Sequence, residues 1–591
     1  MNPDDVDLSE LEPAVEAWIE GDIDGQTAGE LQDLLARANC DAPDAVTGER
    51  DAALVELADR FRGFLAFGTA GLRGRLGGGP NRMNRAVVAK TAAGIASFIS
   101  RQVPDGHVPH VVIGYDARRL SADFALDSAA VFTAAGAHVT LIDGYVPTPI
   151  LAFAVRHLEA DVGVMVTASH NPPHDNGYKV YLGGKITDDV ARGVQIVAPT
   201  DAEIAAEIAQ TPPANQIPQA AEGWDLIDEE IIDAYLKETS VAVRQSVGNM
   251  ESSTKTTDSL RIVYTPLHGV GGSMTLQALA DAGFDDVHVV DEQVYPDPDF
   301  PTVAFPNPEE PGALDSALQL AEDVNADLVI AQDPDADRCA IAVRDDATGR
   351  IRKLNGDEVG SVLAHVIAQG EHEEQAVLAS SIVSSRLISH IANAHGLRHQ
   401  LTLTGFKWIA RVPHLAYGYE EALGYCLTPR VAADKDGIAT AIFAARVARA
   451  LKDRGQSFTS VLNDVYREHG YFATEQLSAR FVNTSAIDDR IANFLASPPT
   501  ELLGQPVTEV IDLATGLNDL PPTAGVWITT NANTRVVIRP SGTEPKLKSY
   551  LEIVQPVSPN ASDQTLQTVF EESRTKLATL KSELARALNL Y

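Results

Sequence analysis

The chain has 591 residues, 45% hydrophobic and 22% charged, the balance expected of a soluble globular protein with room for roughly three to four domains. Its formal net charge of −36 argues against nucleic acid as a partner, because a phosphate backbone demands clustered Lys and Arg. No apolar run is long enough to enter a membrane as a spanning helix, the acidic start lacks the pattern of a signal peptide, and three scattered cysteines (Cys40, Cys339, Cys426) make neither a disulfide framework nor a zinc site, so a reducing cytoplasm is expected.

In chain order, residues 1–60 read as a helical extension. The Gly-rich string FGTAGLRGRLGGGPNRMN follows, from Phe67 to Asn84, with Arg73, Arg75 and Arg82 interleaved. Glycine permits close backbone approach and arginine offers forked donors for phosphate. The glycine spacing fits neither a Walker loop nor a dinucleotide fingerprint, and alone the string reads as a flexible loop. A strand–helix–strand pattern then runs from His110 to Asp143 and recurs from Arg261 to Asp291 and from Ala376 to Gly405, predicting three related βαβ units on mixed or parallel sheets. The stretches 202–221 and 241–260 read as connectors, the first Pro-rich, the second polar. After about Tyr466 short strands (VWITT, TRVVIRP, SYLEIV) lead to a helix from about Asp563, which reads as a smaller α+β domain.

Four loops carry chemistry at ends of these predicted strands, where open α/β sheets bind ligands. The apolar run 162–166 breaks at Thr167-Ala168-Ser169-His170-Asn171-Pro172-Pro173, leaving the Ser169 hydroxyl beside His170, with Lys179 beyond an Asn-Gly turn. A loop serine is normally turn chemistry, and its hydroxyl is a weak nucleophile until activated. In ADLVIAQDPDADRCAIAV, Asp333, Asp335 and Asp337 repel one another unless a cation neutralises them. Hard oxygen ligands without Cys or His favour Mg²⁺ or Ca²⁺. Arg338 follows directly. In GYEEALGYC, Glu420 and Glu421 offer acceptors to sugar hydroxyls, although alone they read as surface acids; DKDG, with Lys435, lies just beyond. In TRVVIRPSGTEPKLKSYLE, Arg539, Ser541, Gly542, Thr543, Lys546 and Lys548 make an anion nest, the strongest phosphate dock in so acidic a chain.

Together and in this order, TASHNP, DPDADR, EEALG and RPSGTEP resemble the phosphoserine, metal, sugar-specificity and phosphate-binding loops of the α-D-phosphohexomutase superfamily. The resemblance runs from about Phe67 to the C-terminus. FGTAGLRG after a helical extension, and Ala422 where serine is frequent, resemble the branch with type-2 phosphoglucomutases and phosphopentomutases. It implies an α/β fold of three related mixed-sheet domains plus a C-terminal α+β domain around a central cleft. The expected bounds are 1–60 for the extension, then 61–240, 258–365, 366–465 and 466–591. It also implies a mutase that interconverts hexose 1-phosphate and hexose 6-phosphate through phosphorylated Ser169 and a bound sugar bisphosphate. One Mg²⁺ per site would lie on Asp333, Asp335, Asp337 and the Ser169 oxygen. Arg73, His170, Lys179 and Arg338 match positions near the reacting group. Lys179, its pKa lowered by site cations, is the expected proton carrier, with His170 as competitor. Glu420, Glu421, Lys435, Arg539, Ser541, Gly542, Thr543 and Lys548 would hold substrate; Lys548 stands where many relatives carry arginine, losing the bidentate fork. The expected partners are small sugar phosphates, with a monomer or dimer as the assembly and no nucleic acid or membrane. A phosphopentomutase and a metal-dependent sugar-phosphate phosphatase are the alternatives; the separate basic loop argues against the phosphatase, since a second phosphate needs its own dock.

Overall fold

Three helices precede the first strand: Leu8–Gly21, Gly25–Ala38 and Thr47–Arg60. The Asp7 and Asp24 side chains cap the first two by accepting from Ser9 N and Gln26 N. Val15, Leu31, Leu34, Leu54 and Leu57 close a small core of their own. This computed structural model describes residues 6–40, 47–68, 71–250, 259–481, 484–541 and 546–590.

Three sheets then repeat one plan. The first runs Leu72–Arg75, Asp175–Leu182, Val162–Val166, His110–Tyr115, His138–Ile142, Asp225–Ile227. The second runs Ile351–Lys353, Ala340–Arg344, Leu328–Ala331, Ile262–Thr265, Val287–Val289, and the third Gly424–Cys426, Leu415–Glu420, Val377–Ser381, Arg398–Thr402. In each, two strands joined by a helix pair in parallel, as the βαβ pattern predicts. A third strand adds in parallel on the other side of the first and then doubles back antiparallel. The order of chain connection reverses between the first and third strands, which opens a crevice at their carboxyl ends. The turn after the third strand lies at that crevice every time: residues 167–174, 332–339 and 421–423. The phosphoserine-like, metal-like and sugar-like loops are thus one loop in three copies. Each holds a non-glycine residue at positive φ: Ser169 at 52°, Ala336 at 52° and Leu423 at 62°. Such backbone costs roughly 1–3 kcal/mol and persists only where surrounding contacts fix it.

The C-terminal sheet is antiparallel throughout: Tyr471–Arg480, Lys546–Gln555, Arg535–Pro540, Val526–Thr530, Gln505–Asp512, Glu501–Leu502. The helix Asp563–Ala587 packs on it through Leu577, Leu580 and Leu584. One hydrophobic core runs through all four units, from Val112 and Phe153 through Tyr264 and Leu363 to Phe472 and Leu566.

Several expected bounds fall inside helices. Glu229–Val247 buries Ile231, Tyr235, Leu236, Thr239, Val243 and Val247, a helical spacing that continues unbroken across residue 240. It therefore occupies the start of the expected connector 241–260, of which residues 251–258 lie outside the described part. The bound at 365 cuts Gly356–Ala368, whose capping box of Asn355 and Glu358 starts it ten residues earlier and which packs on Leu387–Ala394 of the third unit. The bound at 465 cuts Phe458–His469, a helix that ends at Gly470 with φ 92°. The stretch 202–221 is also no plain connector, because the helix Thr200–Ala209 inserts Ile204 and Ile208 against Arg85–Gln102.

Candidate active site

The crevices of the first and second units face each other. Val162–Val166, fully buried, delivers Ser169, which is 3% exposed. Its N–H donates to Thr167 Oγ1 at 2.8 Å, and its Oγ donates to Asp333 Oδ2 at 3.0 Å across 164 residues of sequence. His170 Nδ1 lies 3.3 Å from the same Oγ. Leu328–Ala331 delivers Asp333, Asp335 and Asp337, all fully buried, with an oxygen of each within 4.8 Å of the others. Glycines let the neighbouring backbone press on this loop. A Cβ at Gly269 would meet Pro334 Cα at 2.5 Å, and one at Gly437 would meet Arg338 O at 2.4 Å.

Four cations surround the three carboxylates. Lys179 Nζ donates to Asp335 Oδ2 at 2.7 Å and Asp337 Oδ2 at 3.0 Å. Lys435 Nζ donates to Asp337 Oδ2 at 2.6 Å. Arg338 N donates to Asp333 Oδ1 at 3.0 Å, and its guanidinium turns to Glu309 at 3.1 Å. Arg73 reaches Asn171 Oδ1 at 3.3 Å, leaving its buried Nε without a partner among the described residues. Burial drives the Asp333 carboxyl well above the usual range, reinforced by Asp335 and Asp337. Burial acts the same way on Asp337, but Lys179, Lys435 and Arg338 outweigh it and hold that group below the range. For Lys179, burial opposes the charged form, yet Asp335 and Asp337 prevail and raise it. This reverses the expectation that site cations lower it: its nearest neighbours are anions. His170 goes down, through burial and then Arg338, Arg73 and Lys435, so its ring is neutral.

The donor set fits a hard divalent ion. Asp335 Oδ1 and Asp337 Oδ1 are buried with no hydrogen-bond partner among the described residues, an arrangement that costs several kcal/mol unless a cation is met there.

The remaining expected residues divide. Glu421 is half-buried, its Oε2 accepting from Ser384 Oγ at 2.9 Å, so it is not a free surface acid. Burial, then Glu420 and Asp357, push it up to about 7. Glu420 Oε1 accepts from Gly405 N at 2.5 Å. Lys435 sits at the aspartates rather than at the glutamates. Arg539 and Lys548 are paired across adjacent strands, and Ser541 N closes the hairpin onto Lys546 O at 2.8 Å. Gly542 and Thr543 lie outside the described residues. The dock and the sugar-like loop meet electrostatically at Lys407, which burial brings down to about 8 and on which Glu420 and Arg539 act with opposite sign. Arg75 is exposed and Arg82 is buried against Glu56 and Asp59, so neither joins the site.

Sequence reading missed Arg118 and Thr148. Arg118, just after the strand His110–Tyr115, is buried beneath the serine loop. It donates to the carbonyls of Ser169 (2.5 Å), Asn171 (2.6 Å), Pro172 (2.9 Å) and Asp175 (3.2 Å). Its only signal was a charged GYDAR string at a buried strand's end. Thr148 Oγ1 donates to Asp335 Oδ2 at 2.7 Å from a helix start that carries no local sign of this role.

A buried serine hydroxyl in contact with three clustered carboxylates that could hold a metal ion, ringed by cations, makes up the candidate site. Models of the phosphoglucomutase/phosphomannomutase α/β/α domains I, II and III match residues 65–211, 235–349 and 355–469. A probable phosphomannomutase of Haemophilus influenzae is 39% identical over 472 residues, 80% of this chain and 93% of its own. Phosphoribomutase of Saccharomyces cerevisiae is 34% identical over 613 residues, 92% of this chain and 93% of its own. A phosphoglucomutase/phosphomannomutase family protein from Burkholderia thailandensis shares the fold, with a TM-score of 0.62 at 18% identity over 86% of this chain and 96% of its own. The chain belongs to the phosphoglucomutase/phosphomannomutase family of the α-D-phosphohexomutase superfamily, and is a mutase, an isomerase acting by intramolecular phosphotransfer. No helix among the described residues is long and apolar enough to cross a membrane.

Proposed function

We propose that the chain interconverts hexose 1-phosphate and hexose 6-phosphate, with Ser169 as the phosphoryl carrier and a sugar bisphosphate as the intermediate. The observation that carries this is the 3.0 Å contact between Ser169 Oγ and Asp333, flanked by arginine and carboxylate atoms that have no hydrogen-bond partner among the described residues. A Mg²⁺ ion held by Asp333, Asp335, Asp337 and the serine oxygen supplies Lewis-acid polarisation when bound. The chain's own residues do the rest. Arg73 and Arg338 face the phosphoryl oxygens as their charge grows. Arg118 fixes the loop backbone so that Ser169 does not drift. As a substrate hydroxyl oxygen bonds to phosphorus and the Ser169 Oγ–phosphorus bond breaks, the hydroxyl proton passes to His170 and from its Nδ1 to the departing serine oxygen; the reverse transfer returns it. Lys179 keeps the aspartates in place. The bisphosphate then turns over, its other phosphate returns to Ser169, and the anchored phosphate rests on Arg539, Ser541 and Lys548. Burial of Ser169 keeps water from taking the phosphoryl group.

Isomer formation without stoichiometric phosphate release from glucose 1-phosphate is the expected result; stoichiometric release makes the protein a phosphatase. Intact mass should show one phosphoryl group on the wild type and none on Ser169→Ala. A pentose 1-phosphate is the second reading, favoured because the yeast phosphoribomutase aligns over 92% of the chain and the probable phosphomannomutase over 80%. Rates with glucose, mannose and ribose 1-phosphates side by side rank the three.

A further inference from the structure

The helical extension lies outside the three domain models, yet its polar residues converge on one turn. Glu30 Oε2 accepts from Gly78 N at 2.9 Å, and Arg60 Nη1 donates to Gly78 O at 3.1 Å, so the extension grips both polar groups of the residue. Glu30 and Arg60 pair with each other at 2.8 Å. Glu56 bridges Arg60 at 2.8 Å and Arg82 at 3.1 Å, and Arg82 also meets Asp59 at 2.7 Å. Asn81 donates from its side chain to Asp59 O at 2.9 Å and from its backbone to Arg60 O at 3.0 Å. The fit is tight: a Cβ at Gly78 would lie 2.6 Å from Thr27 O.

The gripped turn leads straight to the site. Met83 N donates to Arg75 O at 2.8 Å and Leu76 N to His174 O at 2.8 Å. The short strand Leu72–Arg75 then aligns Arg73 with Gly177 at the sheet edge. This edge strand of four residues pairs on one side only, so its placement depends on the contacts that flank it. We infer that the extension is a brace that positions Arg73 at the phosphoryl group, with Glu30, Glu56, Arg60 and Arg82 as positioning residues acting through the Gly78 turn. This rests on the role given to Arg73 above.

The test compares full-length wild type with Glu30→Gln/Glu56→Gln, Arg73→Ala and the triple variant. The brace variant should lose kcat roughly ten- to a hundredfold with KM little changed, because a misplaced cation weakens the transition state while the sugar dock is untouched. In the Arg73→Ala background the same pair should cost less than about twofold, since residues acting through one group are not additive. Amides of Leu72–Arg75 should exchange hydrogen faster in the brace variant, a readout independent of turnover. Glu30→Gln alone, the milder change, should repeat the pattern at smaller amplitude. Losses that multiply in the triple variant, or unchanged exchange at Leu72–Arg75, overturn the brace. Turnover unaffected by Arg73→Ala would instead sink the role of Arg73, while the exchange rates still decide whether the extension fixes the strand.

Discussion

Asp335→Asn separates metal binding from folding, because the opposing terms nearly cancel without metal. The Lys179 contact at 2.7 Å is worth about 6 kcal/mol at an effective dielectric of about 20. Against it stand the desolvation of a fully buried carboxylate, several kcal/mol, and the repulsion from Asp337, at least about 3 kcal/mol at a separation within 4.8 Å. Asparagine keeps an oxygen for Thr148 and Lys179 while relieving both the desolvation cost and the Asp337 repulsion. Metal-free stability should therefore move by no more than about 2 kcal/mol. The ion is another matter, since one of its three anionic ligands becomes neutral. In the wild type, Mg²⁺ at about a hundred times its dissociation constant adds about 2.7 kcal/mol, a shift of about 2 °C in thermal midpoint for a chain of this length. Scanning calorimetry in excess chelator and then in Mg²⁺ reads both quantities. The variant should match the wild type in chelator, lose the Mg²⁺-induced shift, and turn over poorly. An undiminished Mg²⁺ shift in Asp335→Asn, or full wild-type activity in chelator, would refute the assignment of the aspartates as the metal site.

Three further outcomes follow from the same geometry. Arg118→Met strips a buried donor from four carbonyls and leaves the buried Asp116 without its cation; urea titration should show a loss of about 3–5 kcal/mol, with kcat falling in parallel. Glu421 holds its proton up to about pH 7 when folded but only to its ordinary 4.5 when unfolded, so wild-type stability should fall as pH rises from 4.5 to about 7 and then level off. Glu421→Gln should flatten that segment and be more stable than wild type at pH 8 by up to about 3 kcal/mol, as pH-dependent melting would show. Glu552 is fully buried and accepts from Ser385 Oγ at 2.9 Å and Arg386 Nε at 2.5 Å; Glu552→Gln should cost about 3–5 kcal/mol and raise KM, because the same strand carries Lys548.

Most of the chemistry was legible in contiguous strings. Asp333, Asp335 and Asp337 sit two apart, and Ser169 adjoins His170, so their residue types and strand-end placement could be read locally. The βαβ units were legible for the same reason, since hydrophobic periodicity acts over a dozen residues. The bounds were less so: amphipathic helices such as Glu229–Val247 and Gly356–Ala368 run through them, and composition does not mark which sheet a helix serves. Tertiary structure alone decided four things. It placed Ser169 against Asp333 across 164 residues and put Arg118 beneath the serine loop. It surrounded Lys179 with carboxylates, which reversed the direction expected for its pKa. It also brought Glu30 and Arg60 to Gly78, tying the extension to Arg73. The physical reason is common to all four: charge and hydrogen-bond energies depend on distance in space, and only the packed sheets bring residues this remote within 3 Å or so.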